Sequence, residues 1–224
     1  MPEKKRPRRT PQRILETSLA LFNRFGEPHI TTADIADEMN ISPGNLYYHF
    51  RNKDDIIGAL YEGLEGAITP LLSLSDRRAA GVEDLWLLLH LLFERMREYR
   101  FFYRDLDEIT SRNRRIATRF AHLTRRGENT VIELCHGLVA TGEMQATQRE
   151  IASLASNVTL VSTYWMSFQR IGARHGGDDV DGKGGANEAA ASLDRAAFQV
   201  LALIAPYLVG EGRALIDQLG ENYL

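Results

Sequence analysis

Residues 31–56 of this 224-residue chain, TTADIADEMNISPGNLYYHFRNKDDI, carry two short helical patterns separated by a stop and an immediate restart. Thr31 or Thr32 can cap the first helix, because a hydroxyl accepts from the free amides of the first turn, and Asp34 adds negative charge where the helix dipole favours it. Ile35, Ala36 and Met39 then share one apolar face. Asn40 stands where the chain must leave the helix, and Asn tolerates the left-handed conformation of such a stop better than any residue but Gly. Ser42 is a second N-cap and Pro43 fits the first helical position, so a new helix can begin at once. The spacing predicts a helix-turn-helix over 31–50.

In the second helix Leu46 and Phe50, four apart, point inward and leave Pro43, Gly44, Asn45, Tyr47, Tyr48 and His49 on or near the outer surface. Gly44 has no side chain to hold the backbone away from a groove, and the Asn45 amide matches the donor and acceptor on adenine's major-groove edge. Tyr47, Tyr48, His49 and Lys53 suit phosphate oxygens, which position a protein without specifying sequence. With Thr31, Thr32 and Ser42 at the helix starts, these residues form the expected contact set for double-stranded DNA. A plain helical hairpin has no use for a Gly in a first helical turn beside a row of exposed aromatics.

A net charge of −3 looks unsuited to DNA until it is divided along the chain. The first 24 residues hold seven Lys or Arg against Glu3 and Glu16, a net +5, so the other 200 carry −8. A basic arm over 1–9, with Lys5, Arg6, Arg8 and Arg9, then supplies attraction to phosphates while the acidic body stays away from them. Free in solution such an arm is expected to be disordered and to order on binding. Hydrophobic residues at 44% and charged residues at 25% exclude general disorder. The longest apolar run, Leu85 to Phe93, is interrupted by His90 and is far shorter than the roughly 20 residues of a membrane helix. PEKKRPRR at the start lacks the apolar segment of a secretory signal, and the single Cys135 can form no internal disulfide. Together these predict a cytoplasmic protein that does not engage a membrane.

Here the chain resembles the TetR family of one-component regulators. The residues that carry the resemblance are TTADIADEMNISPGNLYYHF with its following basic step, and upstream RILETSLALFNRFGEPHITT with a Phe-x-x-x-Gly helix ending. It is specific from about Arg13 to Ile57, and a weaker likeness at RFFYRDLDEI, residues 100–109, points to a subgroup with a Phe-Tyr-Arg-Asp-Leu signature in its ligand domain. Met39-Asn40 departs from the small residue and Gly usual there, but Asn can make the same turn. The resemblance implies an all-α protein with an N-terminal three-helix DNA-binding domain and a larger C-terminal helical domain for ligand binding and dimerisation. It also implies a homodimer whose last two long helices pair into a four-helix bundle.

The residues alone agree in outline. Thr10 and Pro11 open a first helix whose Ile14, Leu15, Ser18, Leu19, Phe22 and Phe25 give an inward face closed by Gly26. A fourth helix runs from Lys53 through Ile57, Leu60, Leu64 and Ile68 toward Pro70, giving a DNA-binding domain over 10–68 and a second domain over 69–224. Further helical patterns lie at about 83–99, 101–108, 112–141, 148–172 and 189–209, with no useful strand-like alternation. The last two are apolar on two sides, which predicts a partner on one of them. Val161, Val200, Leu203, Ile204 and Tyr207 are the expected dimer interface, and two reading heads match a palindromic operator.

Aromatics crowd 82–171, so the expected effector is a mainly apolar small molecule among Trp86, Phe93, Phe102 and Trp165. His90, His122 and His136 lack the i, i+4 spacing of a helical metal pair, and no metal or cofactor is expected. In the glycine-rich stretch 172–188, Asp179, Asp181, Gly182 and Glu188 mimic part of a calcium loop, but Gly177 fills the place of its first carboxylate. No phosphate-cradling loop, dinucleotide fingerprint or nucleophile elbow is present, which argues against an enzyme. The function expected is a repressor released from its operator by that effector. An activator or an effector-independent regulator would use the same DNA-contact residues.

Overall fold

The computed structural model describes residues 10–73, 81–173 and 185–220. The arm residues Lys5, Arg6, Arg8 and Arg9 and the calcium-like Asp179, Asp181 and Gly182 lie outside these.

The described residues form helices α1 (Thr10–Phe25), α2 (Thr32–Glu38), α3 (Pro43–His49), α4 (Lys53–Ile68), α5 (Val82–Glu98), α6 (Arg100–Arg104), α7 (Leu106–Arg112), α8 (Arg114–Thr141), α9 (Gln148–Ala173), α10 (Gly185–Ile204) and α11 (Gly210–Gly220). Single 3-10 turns at Glu27–His29 and Ala205–Tyr207 join their neighbours. The fold is all-α, and none of its described helices is long and apolar enough to cross a membrane.

The local signals act where the sequence places them. Thr31 and Asp34 form a capping box at α2, and Asn40 adopts φ 52, the left-handed stop between α2 and α3. Ser42 accepts from the Asn45 amide and Asn52 from the Asp55 amide, opening α3 and α4. Gly26 closes α1 at φ 98, where an added Cβ would also come within 3.2 Å of the His29 ring. Ile35, Ala36, Met39 and Leu46 turn into a small core with Ile14 and Phe22 of α1. That core is continuous with the larger one through α4, whose buried Ile57, Tyr61 and Leu64 pack toward both. The two domains therefore share apolar packing rather than a flexible linker.

Four expectations change. Phe25 is exposed under the Arg24 guanidinium, and Asn23 takes the buried place beside Phe22. The pattern at 101–108 is two helices, broken at Asp105, whose carboxylate turns back to accept from the Glu27 amide in the 3-10 turn after α1. The last pattern ends at Ile204, and an unforeseen α11 follows. Most consequential, Val200 and Ile204 are fully buried within the protomer, with Leu203 and Tyr207 half-buried. Helix α10 packs against both α9 and α5, so Val200 and Ile204 find cover in their own chain. The uncovered apolar stripe lies on α9 instead, where Leu160, Tyr164 and Phe168 stand 57%, 43% and 64% exposed at i, i+4, i+8 spacing, with Val161 half-buried at their edge.

Candidate nucleic-acid interface

Helix α3 is anchored by the buried Leu46 and presents Pro43, Gly44, Asn45, Tyr47 and Tyr48 to solvent, with His49 half-buried behind them. Tyr48 is 85% exposed, a large apolar ring left in water without cover, and its edge meets His49 at 5.0 Å. Tyr47 is oriented from across the motif by the Thr32 hydroxyl, 2.9 Å from its own. The Thr31 hydroxyl and backbone amide both donate to Asp34, and the hydroxyl bond holds that carboxyl below its ordinary range. The start of α2 is thereby fixed against the outer face of α3. The result is a rigid ridge of short polar residues flanked by phenols, a shape that fits a major groove. Replacing Asn45 by Ala is expected to lower preference for operator over random duplex by about 1–3 kcal/mol while leaving non-specific binding unchanged. Fluorescence anisotropy with both duplexes checks this, and equal weakening of the two would remove Asn45 as a base reader.

The structure gives Lys53 a different task from the one expected. Its ammonium lies 2.8 Å from the Glu27 carboxylate, also donates to the Glu27 carbonyl and stands over the Phe22 ring. Glu27 is 0% exposed, and the same oxygen, Oε1, is also held by Arg112 at 2.8 Å, which in turn reaches Asp54 at 3.0 Å. Lys53 is thus committed inside the protein because a buried carboxylate requires compensation. Arg51, exposed two residues earlier, is a cation at this corner that the sequence reading passed over. Its signal was its place in the short connection between the reading helix and the cap of α4.

Behind the reading head sits a clasp. Asn23 donates to the Glu98 carbonyl at 2.8 Å and accepts from the Phe101 amide at 3.0 Å. Arg104 donates to the carbonyls of Phe22 at 2.6 Å and Asn23 at 3.4 Å, the free end of α1. Asp105 accepts from the Glu27 amide at 3.0 Å. The Phe-Tyr-Arg-Asp-Leu stretch is therefore divided: Arg104 and Asp105 grip the DNA-binding domain, and Phe102, Tyr103 and Leu106 belong to the core of the larger one. A second brace runs along α8, where Arg119 reaches Glu62 and Glu65 of α4 and lies over the Tyr61 ring.

The larger domain holds a cavity of about 70 Å³ whose walls include Leu72, Leu88, Leu92, Tyr103, Phe120 and Val131. None of the four expected ligand residues lines it. Phe93 and Phe102 are fully packed core, Trp86 stacks on His90 at 5.1 Å, and Trp165 lies against Phe168 on the outer side of α9. Large flat rings fill space, and the void is left among leucines and a glycine where shorter side chains meet. The buried Ser162 hydroxyl faces this space without a partner, and burial pushes the Tyr103 phenol above its usual range, so both are neutral groups.

Comparison with known proteins places this arrangement. Residues 14–60 match the family described as bacterial regulatory proteins, tetR family, and residues 64–216 match that described as bacterial transcriptional repressor. A crystal structure of a TetR-family transcriptional regulator from Marinobacter aquaeolei VT8 is 34% identical, superimposes with a TM-score of 0.80 and is covered over 99% of its length by 96% of this chain. The probable acrEF/envCD operon repressor of Escherichia coli K12 is 36% identical over 53 residues, a match spanning 24% of each chain. The repressor KstR2 of Mycobacterium tuberculosis H37Rv is 33% identical over 82 residues, 36% of this chain and 41% of that one. The chain thus spans about a quarter to two fifths of the length of these two relatives. With both of its halves matched, the chain belongs to the TetR family of bacterial regulatory proteins.

Proposed function

We propose that the protein is a homodimeric repressor that occupies a palindromic DNA operator and leaves it when a mainly apolar small molecule binds in each larger domain. One observation carries this reading: Tyr103 lines the cavity while the next two residues, Arg104 and Asp105, hold the end of α1 and the Glu27–His29 turn. A displacement of Tyr103 has a two-residue path to the reading head. The cavity volume is far below the roughly 300–1,000 Å³ of a site for a drug-sized ligand, so occupation requires its walls to move. An effector of that kind prefers an altered conformation, which is the condition for changing DNA affinity.

The partner surface is the α9 stripe of Leu160, Tyr164 and Phe168, large apolar side chains at helical spacing on one uncovered face. Val161, half-buried on the same helix, extends it. That the relatives named above are repressors supports the direction of control. Light scattering with the Leu160→Glu, Phe168→Glu double variant tests the dimer; the wild type is expected at twice the chain mass and the variant at once, and an unchanged dimer refutes the surface. Titrating a bound small molecule with and without operator tests release. By linkage the ligand must bind the DNA-bound dimer more weakly by the factor through which it lowers DNA affinity. A ligand with equal affinity in both states defeats the repressor reading and favours the effector-independent one.

A further inference from the structure

Between α8 and α9, on the outer side of the cavity, runs a groove of about 570 Å³. Phe120, Thr124, Thr159 and Thr163 line the groove and the cavity alike. They form a shared wall one side chain thick, and Phe120 is its one large member. The two spaces differ in chemistry. The inner one is leucine-walled, whereas the groove adds Thr110, Arg125, Glu128 and Ser156. Ser156 donates to Oε1 of Glu128, which keeps its charge. Arg125 is exposed and makes no hydrogen bond or ion pair among the described residues. The groove therefore holds a carboxylate bonded by a hydroxyl and a guanidinium with no such partner among the described residues.

We propose that the cavity and the groove are two compartments of one site for a medium-chain carboxylate, with the alkyl end inside, the head beside Arg125 and Phe120 as the partition that the chain must displace. This rests on the effector reading above and specifies its ligand. Each compartment is inadequate alone: the cavity is too small for a whole ligand and lined by no charged group, and the groove, which also takes in Leu160 and Tyr164 of the α9 stripe, carries the charges. Joined, they give an apolar chain an apolar end and an anionic head a cation. The partition also meets the clasp. The Phe120 ring packs edge-on against Phe102 at 5.3 Å and Tyr103 at 6.2 Å, the residues just before Arg104 and Asp105. Swinging Phe120 aside removes the support of both rings, and Tyr103 is also tied to α9 by the Ser167 hydroxyl donating to its carbonyl.

Gly127 provides a clean test. It lines the cavity on α8, an added Cβ there meets nothing within 4 Å, and Leu is a better helix former than Gly, so Gly127→Leu fills the cavity without endangering the fold. Calorimetric titration of the full-length dimer with straight-chain carboxylates from hexanoate to dodecanoate is expected to show affinity rising by about fourfold per methylene until the cavity is full. In Gly127→Leu the rise should stop at a shorter chain, with the longest carboxylates weakened by about tenfold, the equivalent of nearly two buried methylenes. Arg125→Gln should weaken the carboxylates by about three- to tenfold and leave the matching 1-alkanols unchanged. An unaltered chain-length profile in Gly127→Leu overturns the inner compartment. Equal loss for acid and alcohol in Arg125→Gln, or tighter binding of the matching alkyltrimethylammonium ion, overturns the head assignment. Release from a duplex selected out of a random pool is read separately. Carboxylates that bind with the expected profile but leave duplex affinity unchanged uphold the site and refute the effector reading alone.

Discussion

Replacing Lys53 and Arg112 together by Met is expected to destabilise the protein by about 3–5 kcal/mol, the cost of leaving a buried carboxylate without its counter-charges. Glu27 is 0% exposed, and these two side chains, each 2.8 Å from its Oε1, supply its ion-pair partners. Lys53 and Arg112 are themselves 23% and 38% exposed, so water that reaches them holds the loss toward the lower end of that range. The informative variant is the triple one. Adding Glu27→Met removes the charge that needed compensation, and most of the lost stability should return, because apolar residues of similar volume often replace a buried ionic cluster at little net cost. Urea unfolding at neutral pH, compared at constant m-value, measures all three proteins. If the triple variant were no more stable than the double, the cluster would be acting through packing rather than charge.

Asn23→Ala is expected to cost about 2–4 kcal/mol, since it leaves both the Phe101 amide and the Glu98 carbonyl buried without their side-chain partner and each such group costs about 1–3 kcal/mol. Asn23→Asp separates the two bonds. A carboxylate can still accept from Phe101 but faces the Glu98 carbonyl with like polarity, so this variant should be no better than Ala despite its near-identical shape. Because the two bonds tie α1 to the junction of α5 and α6, the loss should appear in the folding of the reading head as well as globally. Hydrogen exchange at the α1 amides is the local readout. A variant with wild-type protection there would mean that Arg104 alone holds the clasp.

The reading head was legible because its signals are local. A capping hydroxyl, an Asn that accepts positive φ and a Pro at a first helical position each act within a few residues, and Thr31, Asn40, Ser42 and Pro43 do so where the sequence predicts. The apolar faces of α2 and α3 followed from spacing alone for the same reason. The same reasoning failed for Phe25 and Asn23. Periodicity favours the ring for the core, yet in this structure the amide is buried, because it satisfies two backbone groups at the junction of α5 and α6 and the ring does not.

Lys53 and the aromatics show the limit more sharply. A lysine beside a DNA-reading helix looks free until a carboxylate 26 residues away in sequence folds against it. Trp86, Phe93, Phe102 and Trp165 mark where the core is dense, and a cavity lies where density fails, which no residue type announces. The two apolar sides of α10 call for two covers, but only its packing against both α5 and α9 decided that Val200 and Ile204 are internal and that α9 carries an open stripe. The sequence by itself determined the all-helical class, the helix-turn-helix and its outward residues, since those depend on interactions of near neighbours. Which charges are spent internally, where the void lies and which helix face stays uncovered were decided by tertiary structure, because each depends on partners that meet only after the chain has folded.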